Sequence, residues 1–122
     1  MSARPLIGIV GPCKAGKSTL AENLAQHGHS ARQIAQEHSF APHMWQSMAN
    51  PDLLIFLDVD YETTTERGLT WLPADYAEQQ QRLAHARQHA NLVVKTDKDS
   101  PQQVLARVLK FLDQQAKLQP KE

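Results

Sequence analysis

The residues with the clearest chemical pattern lie near the start of the sequence, where Gly11 and Gly16-Lys17-Ser18 fit the spacing G-x-x-x-x-G-K-[ST]. A polyphosphate carries closely packed negative charge. Backbone N–H groups at the start of a helix, together with the helix dipole, can neutralise that charge. In such a loop the lysine contacts the β- and γ-phosphates and the serine hydroxyl binds Mg²⁺. The pattern predicts a phosphate-binding loop.

The glycines at the two ends of this loop are required for its backbone conformation. Gly11 lets the chain turn sharply, and Gly16 lets the backbone approach a phosphate closely. The alternative is a glycine-rich turn between a strand and a helix, with an exposed lysine. We expect nucleotide contacts along the whole loop, from Gly11, Pro12, Cys13, Lys14, Ala15, Gly16, Lys17, Ser18 and Thr19.

Length and composition limit the classes of protein to consider. The 122 residues suit one domain, and 13 basic against 13 acidic side chains leave no net charge. This balance argues against nucleic-acid or membrane partners, and no apolar run approaches membrane-spanning length. The single cysteine and the lack of a signal-peptide pattern lead us to expect a cytoplasmic protein.

Apolar periodicity predicts the elements around the loop. Residues 6–10 are continuously apolar, as in a buried parallel strand, and residues 17–26 form a helix with Leu20 and Leu24 on one side. Residues 29–38 are the least clear. A short strand containing Ala31, Ile34 and Ala35, a helix and an irregular segment all remain open there.

A second apolar run, residues 53–60, is the most strand-like stretch of the chain and carries two carboxylates at its end. Open α/β sheets bind ligands at that edge. Asp60 is placed to cap the helix predicted over residues 61–67. Asp58 follows five apolar residues, the form of a Walker B strand whose carboxylate holds Mg²⁺ or its water shell.

The remaining segments alternate in the same way. A helix over residues 42–49 groups Met44, Trp45 and Met48, which either pack on the sheet or a partner subunit or place Trp45 in an acceptor pocket. A long helix starts at Pro73 or Asp75 and runs to about residue 90, and a strand covers residues 91–97. A capping-box sequence then starts the last helix, which we expect to fray after about residue 117.

Strands and helices thus alternate along the chain, which predicts an α/β fold. We expect a three-layer sandwich in which a mostly parallel sheet of about four strands is flanked by helices, as one domain over residues 1–122.

Three stretches resemble the P-loop nucleoside and nucleotide kinases, a superfamily that includes thymidylate, adenylate and ribosylnicotinamide kinases. The first is the loop itself. Residues 51–67 resemble the fourth strand and lid-side helix of thymidylate kinases, and residues 82–110 resemble their last helices and strand. The resemblance implies a catalytic Lys17, a Mg²⁺ ligand in Ser18 and a lid-type arginine at Arg67.

The same resemblance implies further contacts. Arg82 or Arg87 would assist the transfer, and the turn after the last strand would place Thr96, Asp97 and Lys98 beside the nucleotide base.

The chain departs from typical members of this superfamily in two respects: the acidic residue expected on the second strand and the length of the acceptor-binding region. Residues 31–38 are similar to the second strand of ribosylnicotinamide-kinase-like proteins, but Gln33 and Gln36 stand where an acidic and a basic residue are expected. Glu37 is the surviving candidate for the general base or Mg²⁺ carboxylate, and Asp58 is an equal alternative. Because residues 28–50 are few, the acceptor site is open, completed by a second subunit in a homo-oligomer, or absent.

Other polar side chains have a functional and a structural interpretation. His85 and His89 have metal-binding spacing, but a solvated helix face explains it as well. His38 and His43 flank the acceptor region and are candidates for phosphate binding or acid-base work, or are partly buried structural residues. Arg32 is an alternative anchor for an anionic acceptor or simply exposed.

The sequence therefore predicts a protein that binds ATP or GTP with Mg²⁺. The leading hypothesis is a kinase that transfers the γ-phosphate to an unknown small acceptor. The alternatives are a nucleotide-binding module without transfer activity, and simple hydrolysis of the nucleotide.

Overall fold

The computed structural model describes residues 4–118. Four strands alternate with helices along the chain. The strands are β1 (Leu6–Val10), β2 (Ser30–Gln33), β3 (Leu53–Asp58) and β4 (Leu92–Lys95). The helices are α1 (Lys17–Gln26), α2 (Met44–Met48), α3 (Tyr61–Glu66), α4 (Pro73–His89) and α5 (Pro101–Leu118), with a 3₁₀ turn at Gln36–His38.

All strands are parallel, and their order across the sheet is β2-β1-β3-β4. The chain leaves β1 toward β2 on one side and leaves β3 toward β4 on the other. The carboxyl ends of β1 and β3 therefore lie at a topological switch point, where open α/β sheets form a ligand crevice.

Helices cover both faces of the sheet. Successive residues of β1 and β3 point to opposite faces, so their alternate side chains enter two separate cores. One core joins β1 and β3 to α1 and α5, and contains Ile7, Ile9, Leu57, Leu24 and Val108. The other lies on the α4 side and contains Val10, Leu54, Phe56, Trp45 and Leu83. The predicted three-layer α/β sandwich with about four parallel strands is confirmed.

The segment over residues 29–38 resolves into two parts. Its first half forms β2 beside β1, and the N–H of Ile34 extends the pairing to the carbonyl of Ile9 at 2.8 Å. Its second half leaves the sheet at Ala35 and forms the 3₁₀ turn. Of the three alternatives for this segment, a strand is thus correct for residues 30–33 and not for the residues that follow. Likewise β3 ends at Asp58 and not at residue 60, because Asp60 caps α3.

Helix α2 is shorter than predicted, since it begins at Met44 and Pro42 lies in the preceding turn. Trp45 is buried in the α4-side core, and its Nε1 donates to Nδ1 of His85 at 3.1 Å. Met48 is 66% exposed, so of its two predicted packing partners the sheet is excluded, and packing on a partner subunit stays a prediction. A five-residue helix presents little more than one turn to the sheet, and Trp45 occupies that contact.

The last helix is described to Leu118. The predicted fraying after residue 117 therefore falls almost entirely on residues 119–122, which lie outside the described residues. Within residues 4–118, no helix combines the length and apolar character that crossing a bilayer requires.

Gly11 determines how closely the turn after β1 approaches β3. Its φ is 156°, and a Cβ at this position would lie 2.2 Å from the backbone carbonyl oxygen of Leu57. A backbone oxygen in a paired strand cannot move aside. Gly68 also has a positive φ, 99°, but a Cβ added there would meet no atom of the described residues within 4 Å.

We expect Gly11→Ala to lower the free energy of unfolding by about 1–3 kcal/mol more than Gly68→Ala, because only the first adds a steric clash to backbone strain. Urea unfolding of both variants measures the difference. Equal destabilisation would show that the close approach is unimportant.

Asp60 holds the start of α3, the helix that leads to Arg67. Its Oδ1 accepts from the N–H of Thr63 at 2.8 Å, and this hydrogen bond is the main reason that the pKa of Asp60 is lowered from its ordinary value of 3.8. The stabilisation of the folded state by this cap is therefore complete at a pH above the ordinary pKa of 3.8, and it is lost as the pH falls through the lower pKa of Asp60 in the folded protein.

We expect Asp60→Ala to lower the free energy of unfolding by about 1 kcal/mol at neutral pH, with the difference from the wild type shrinking below about pH 4. Unfolding in urea at several pH values tests this. The control is Asp113→Ala, which removes an exposed ion pair with Lys117 and should cost less than about 0.5 kcal/mol. A loss that is independent of pH would contradict the capping role.

Candidate functional site

A cavity of about 720 Å³ opens at the carboxyl ends of the strands. Its floor is the loop after β1, from Cys13 to Leu20. Its walls come from the ends of β2, α3 and β4 and from the start of α5. The wall residues are Gln33, Glu37, Arg67, Leu69, Thr96, Asp99, Pro101 and Val104.

The loop leaves the first turn of α1 open. Gly16 is the N-cap residue, with φ of 99° and no side-chain cap. The N–H of Leu20 bonds to the Gly16 carbonyl at 3.0 Å, and the N–H groups before it in the helix have no intrahelical partner. Ser18 and Thr19 are exposed at this end. The site can therefore accept an anion through backbone N–H groups.

Lys17 turns back into its own loop and is 8% exposed. Its Nζ donates to the carbonyl oxygens of Gly11 at 2.8 Å and Pro12 at 2.9 Å. The same atom lies 3.0 Å from Oε2 of Glu37. The ammonium group is thus held on the floor of the cavity by three oxygen atoms.

Glu37 reaches this lysine from the 3₁₀ turn that follows β2. The carboxylate is 4% exposed, and its Oε1 has no hydrogen-bond partner among residues 4–118. An unpaired buried carboxylate oxygen is unfavourable and needs a partner. A divalent cation or one of its waters would satisfy it, and the Ser18 hydroxyl lines the same cavity.

Asp58, the alternative carboxylate, does not line the cavity. Its Oδ2 lies 3.0 Å from Nη2 of Arg87, and its Oδ1 accepts from the N–H of Val59 at 3.0 Å. Arg87 also lies over the ring of Phe56. The structure thus brings Glu37 to the loop, whereas Asp58 is paired with Arg87 of α4 and does not line the cavity.

Arg67 borders the cavity at the end of α3. Its Nη1 donates to the carbonyl of Lys14 at 2.6 Å, and its Nη2 donates to the carbonyl of Thr96. Arg82 does not line the cavity. Its Nη1 donates to the backbone carbonyl of Glu37 at 3.3 Å, and its guanidinium also contacts Glu78 at 3.1 Å and the Phe40 ring at 4.4 Å.

Thr96 connects the loop to the end of β3. It is 2% exposed, and its Oγ1 lies 3.2 Å from the carbonyl oxygens of both Ala15 and Asp58. The neighbouring Asp97 accepts from the N–H of Asp60 at 2.6 Å and does not line the cavity, and neither does Lys98. Of the turn predicted to contact the base, only Thr96 faces the cavity.

One part of the cavity wall was not predicted from the sequence. Asp99 precedes α5, and Pro101 and Val104 lie in its first turn, where the sequence shows only a capping pattern and an apolar stripe. Their common position at the carboxyl end of β4 is the signal that could have identified them.

Gln79 is a second residue that was missed. It is 6% exposed on α4 and holds Cys13 by two contacts. Its Oε1 accepts from the Cys13 N–H at 3.1 Å, and its Nε2 donates to the Cys13 Sγ at 3.1 Å. A glutamine between the inward positions of Tyr76 and Leu83 was the available signal.

The histidines separate into two groups. His43, His85 and His89 pack beside Trp45, away from the loop, with the His43 and His85 rings in edge-to-face contact. Desolvation, followed by the charges of His43 and His89, lowers the pKa of His85. His38 is instead at the site, with Nε2 3.7 Å from Oε2 of Glu37. Arg32 is exposed on the edge strand β2.

Comparisons with known proteins agree with the geometry. No protein-family profile and no curated protein sequence matches this chain. A thymidylate kinase from Candida albicans superposes with a TM-score of 0.70 at 14% identity, over 95% of this chain and 94% of that one. A shikimate kinase from Aquifex aeolicus vf5 superposes with a TM-score of 0.64 at 16% identity, over 93% and 99%. The chain has a P-loop kinase-like NTPase fold.

Proposed function

We propose that this protein binds ATP or GTP with Mg²⁺ in the cavity and transfers the γ-phosphate to a small acceptor. The observation that carries the proposal is the buried pair of Lys17 and Glu37, which lies on the phosphate-binding loop beside the uncapped start of α1. The single cysteine and the fold are consistent with a cytoplasmic enzyme.

Phosphate binding would use groups that are already in place. The open N–H groups of the first turn of α1 and the helix dipole favour negative charge. Lys17 would exchange its bonds to the Gly11 and Pro12 carbonyls for bonds to phosphate oxygens. Because Lys17 already lines the cavity, rotation of its side chain would be enough to move the ammonium group from the loop carbonyls to the phosphates.

Mg²⁺ would be held by the Ser18 hydroxyl and the Glu37 carboxylate, and when bound it neutralises charge on the β- and γ-phosphates. Glu37 fits this role better than Asp58, since one of its oxygens is free and buried while both oxygens of Asp58 are engaged. Glu37 would also accept the proton of an acceptor hydroxyl.

Arg67 would contact the transferring phosphate from the edge of the loop. Its guanidinium is held in place by the carbonyls of Lys14 and Thr96, so its position is preorganised. The base would lie toward Thr96, Pro101 and Val104, where the wall is partly apolar.

A second candidate function is nucleotide binding that controls association, or hydrolysis without an acceptor. One observation favours it. Among the described residues that line the cavity, Arg67 is the only arginine, and the wall on the β2 side offers Gln33 and Glu37. An anionic acceptor would find little positive charge there.

We expect Lys17→Ala to weaken nucleotide binding about tenfold to a hundredfold, because one charge-assisted contact to phosphate contributes roughly 1.5–3 kcal/mol. Calorimetry with a non-hydrolysable ATP or GTP analogue measures this. Lys110→Ala, an exposed lysine on α5, is the matched control. Equal affinity in all three proteins would exclude the loop as the binding site.

The same variants separate transfer from the other two functions. A kinase releases nucleoside diphosphate faster with one member of an acceptor panel, and this gain disappears in Lys17→Ala. Release that depends on Lys17 but on no acceptor indicates a hydrolase. Binding without any release indicates a regulatory module.

We expect Glu37→Gln to weaken nucleotide binding about tenfold when Mg²⁺ is present and to leave it unchanged or tighter in a chelator, since the lost charge no longer repels the phosphates. Calorimetry under both conditions distinguishes these effects, with Glu22→Gln as an exposed control on α1. If Asp58→Asn and not Glu37→Gln removes the Mg²⁺ dependence, Asp58 is the metal carboxylate.

A further inference from the structure

We propose that Cys13, Glu37 and His38 form a binding site for Zn²⁺ at the rim of the phosphate-binding loop, and that occupation of this site opposes nucleotide binding. This inference goes beyond the proposed function, because it concerns a different ion and two side chains that phosphate transfer does not use.

The distances suit a tetrahedral ion. One donor atom from each of the three side chains lies within 4.8 Å of the others. Nε2 of His38 is 3.9 Å from Sγ of Cys13 and 3.7 Å from Oε2 of Glu37. Ligands at Zn²⁺ distances of about 2.0–2.3 Å in a tetrahedron are separated by about 3.3–3.8 Å. A small rotation of the exposed His38 side chain completes the geometry.

Two features of the surroundings favour an ion. Glu37 has a buried carboxylate oxygen, Oε1, that lacks a partner among residues 4–118, so the carboxylate has capacity left for an ion although its Oε2, which lies 3.7 Å from Nε2 of His38, is also paired with Lys17. Gln79 fixes the thiol by donating from Nε2 to Sγ. Such a hydrogen bond orients a metal-binding sulfur.

The donor set selects the ion. Thiolate and imidazole ligands suit Zn²⁺, whereas Mg²⁺ prefers oxygen ligands throughout. Binding forms a bond between sulfur and zinc and breaks the S–H bond, whose proton passes to solvent. Cys13 and Glu37 line the cavity, so the ion would lie at its rim.

Occupation of this site would keep the loop in its present arrangement. Zinc would hold the Glu37 carboxylate, which then is unavailable to Mg²⁺, and Glu37 in turn would keep Lys17 on the loop carbonyls. Nucleotide binding needs both groups released. Zinc and nucleotide should therefore compete.

The test is a titration of the full chain with Zn²⁺ or Co²⁺ alone, without nucleotide. We expect one ion per chain, release of a proton in calorimetry, and a thiolate-to-cobalt charge-transfer band. Cys13→Ser should abolish the band, and His38→Gln should weaken binding about tenfold or more. His27→Gln, at the far end of α1, should bind as the wild type does.

His38 is 61% exposed, so its variant should fold normally, and circular dichroism checks all variants. Absence of binding, or equal affinity in Cys13→Ser, His38→Gln and the wild type, would overturn the site. Since no nucleotide is used, that failure leaves the proposed nucleotide site untouched.

The competition has its own measurement. A non-hydrolysable nucleotide with Mg²⁺ should remove the cobalt band from the wild type and leave it in Lys17→Ala, which holds the ion but binds nucleotide weakly. Loss of the band from both proteins would mean that the nucleotide strips the metal in solution. That result, like persistence of the band in both, would overturn the competition.

Discussion

The ammonium group of Lys17 organises the candidate site. It joins two carbonyls of its own loop to a carboxylate from the segment after β2, all within 3.0 Å. Both charged groups are nearly buried, so removing either would leave the other unpaired, a loss of roughly 3–5 kcal/mol for a buried pair. In the proposed function, the same atoms would contact the nucleotide and its metal ion. Stability and the proposed ligand binding would therefore depend on one set of contacts.

The sheet brings these contacts together from distant parts of the chain. Because β1 and β3 lie at its centre, the loop after β1 is contacted by residues from several other elements. Glu37 reaches it from beyond β2, Gln79 from α4, Thr96 from the end of β4, and Arg67 from the end of α3. Gly11 keeps this arrangement tight by admitting the backbone of β3. A short chain thereby holds its loop in a defined shape.

Local sequence patterns account for most of the fold. The apolar strands, the helix stripes and the glycine-bounded loop are visible along the chain because each depends on neighbouring residues, and the three-layer sandwich follows from their alternation. The sequence leaves the structure open, or places boundaries incorrectly, mainly in two short segments. In residues 29–38 and in α2 the pattern is weak, and the boundaries depend on tertiary contacts such as that of Gln36 with the N–H of Trp45.

The sequence by itself determined that a glycine-bounded loop with the spacing of a phosphate-binding motif lies between a buried strand and a helix, because that motif depends on spacing within a few residues. Only the tertiary structure decided which carboxylate lies at the lysine. From the sequence, Glu37 and Asp58 are equal candidates for the carboxylate of the site. In the structure, Glu37 lines the cavity and Asp58 is paired with Arg87. The same holds for Gln79 and Thr96, whose partners are 66 and 81 positions away. Contacts over such separations depend on how strands pair, which no local pattern encodes.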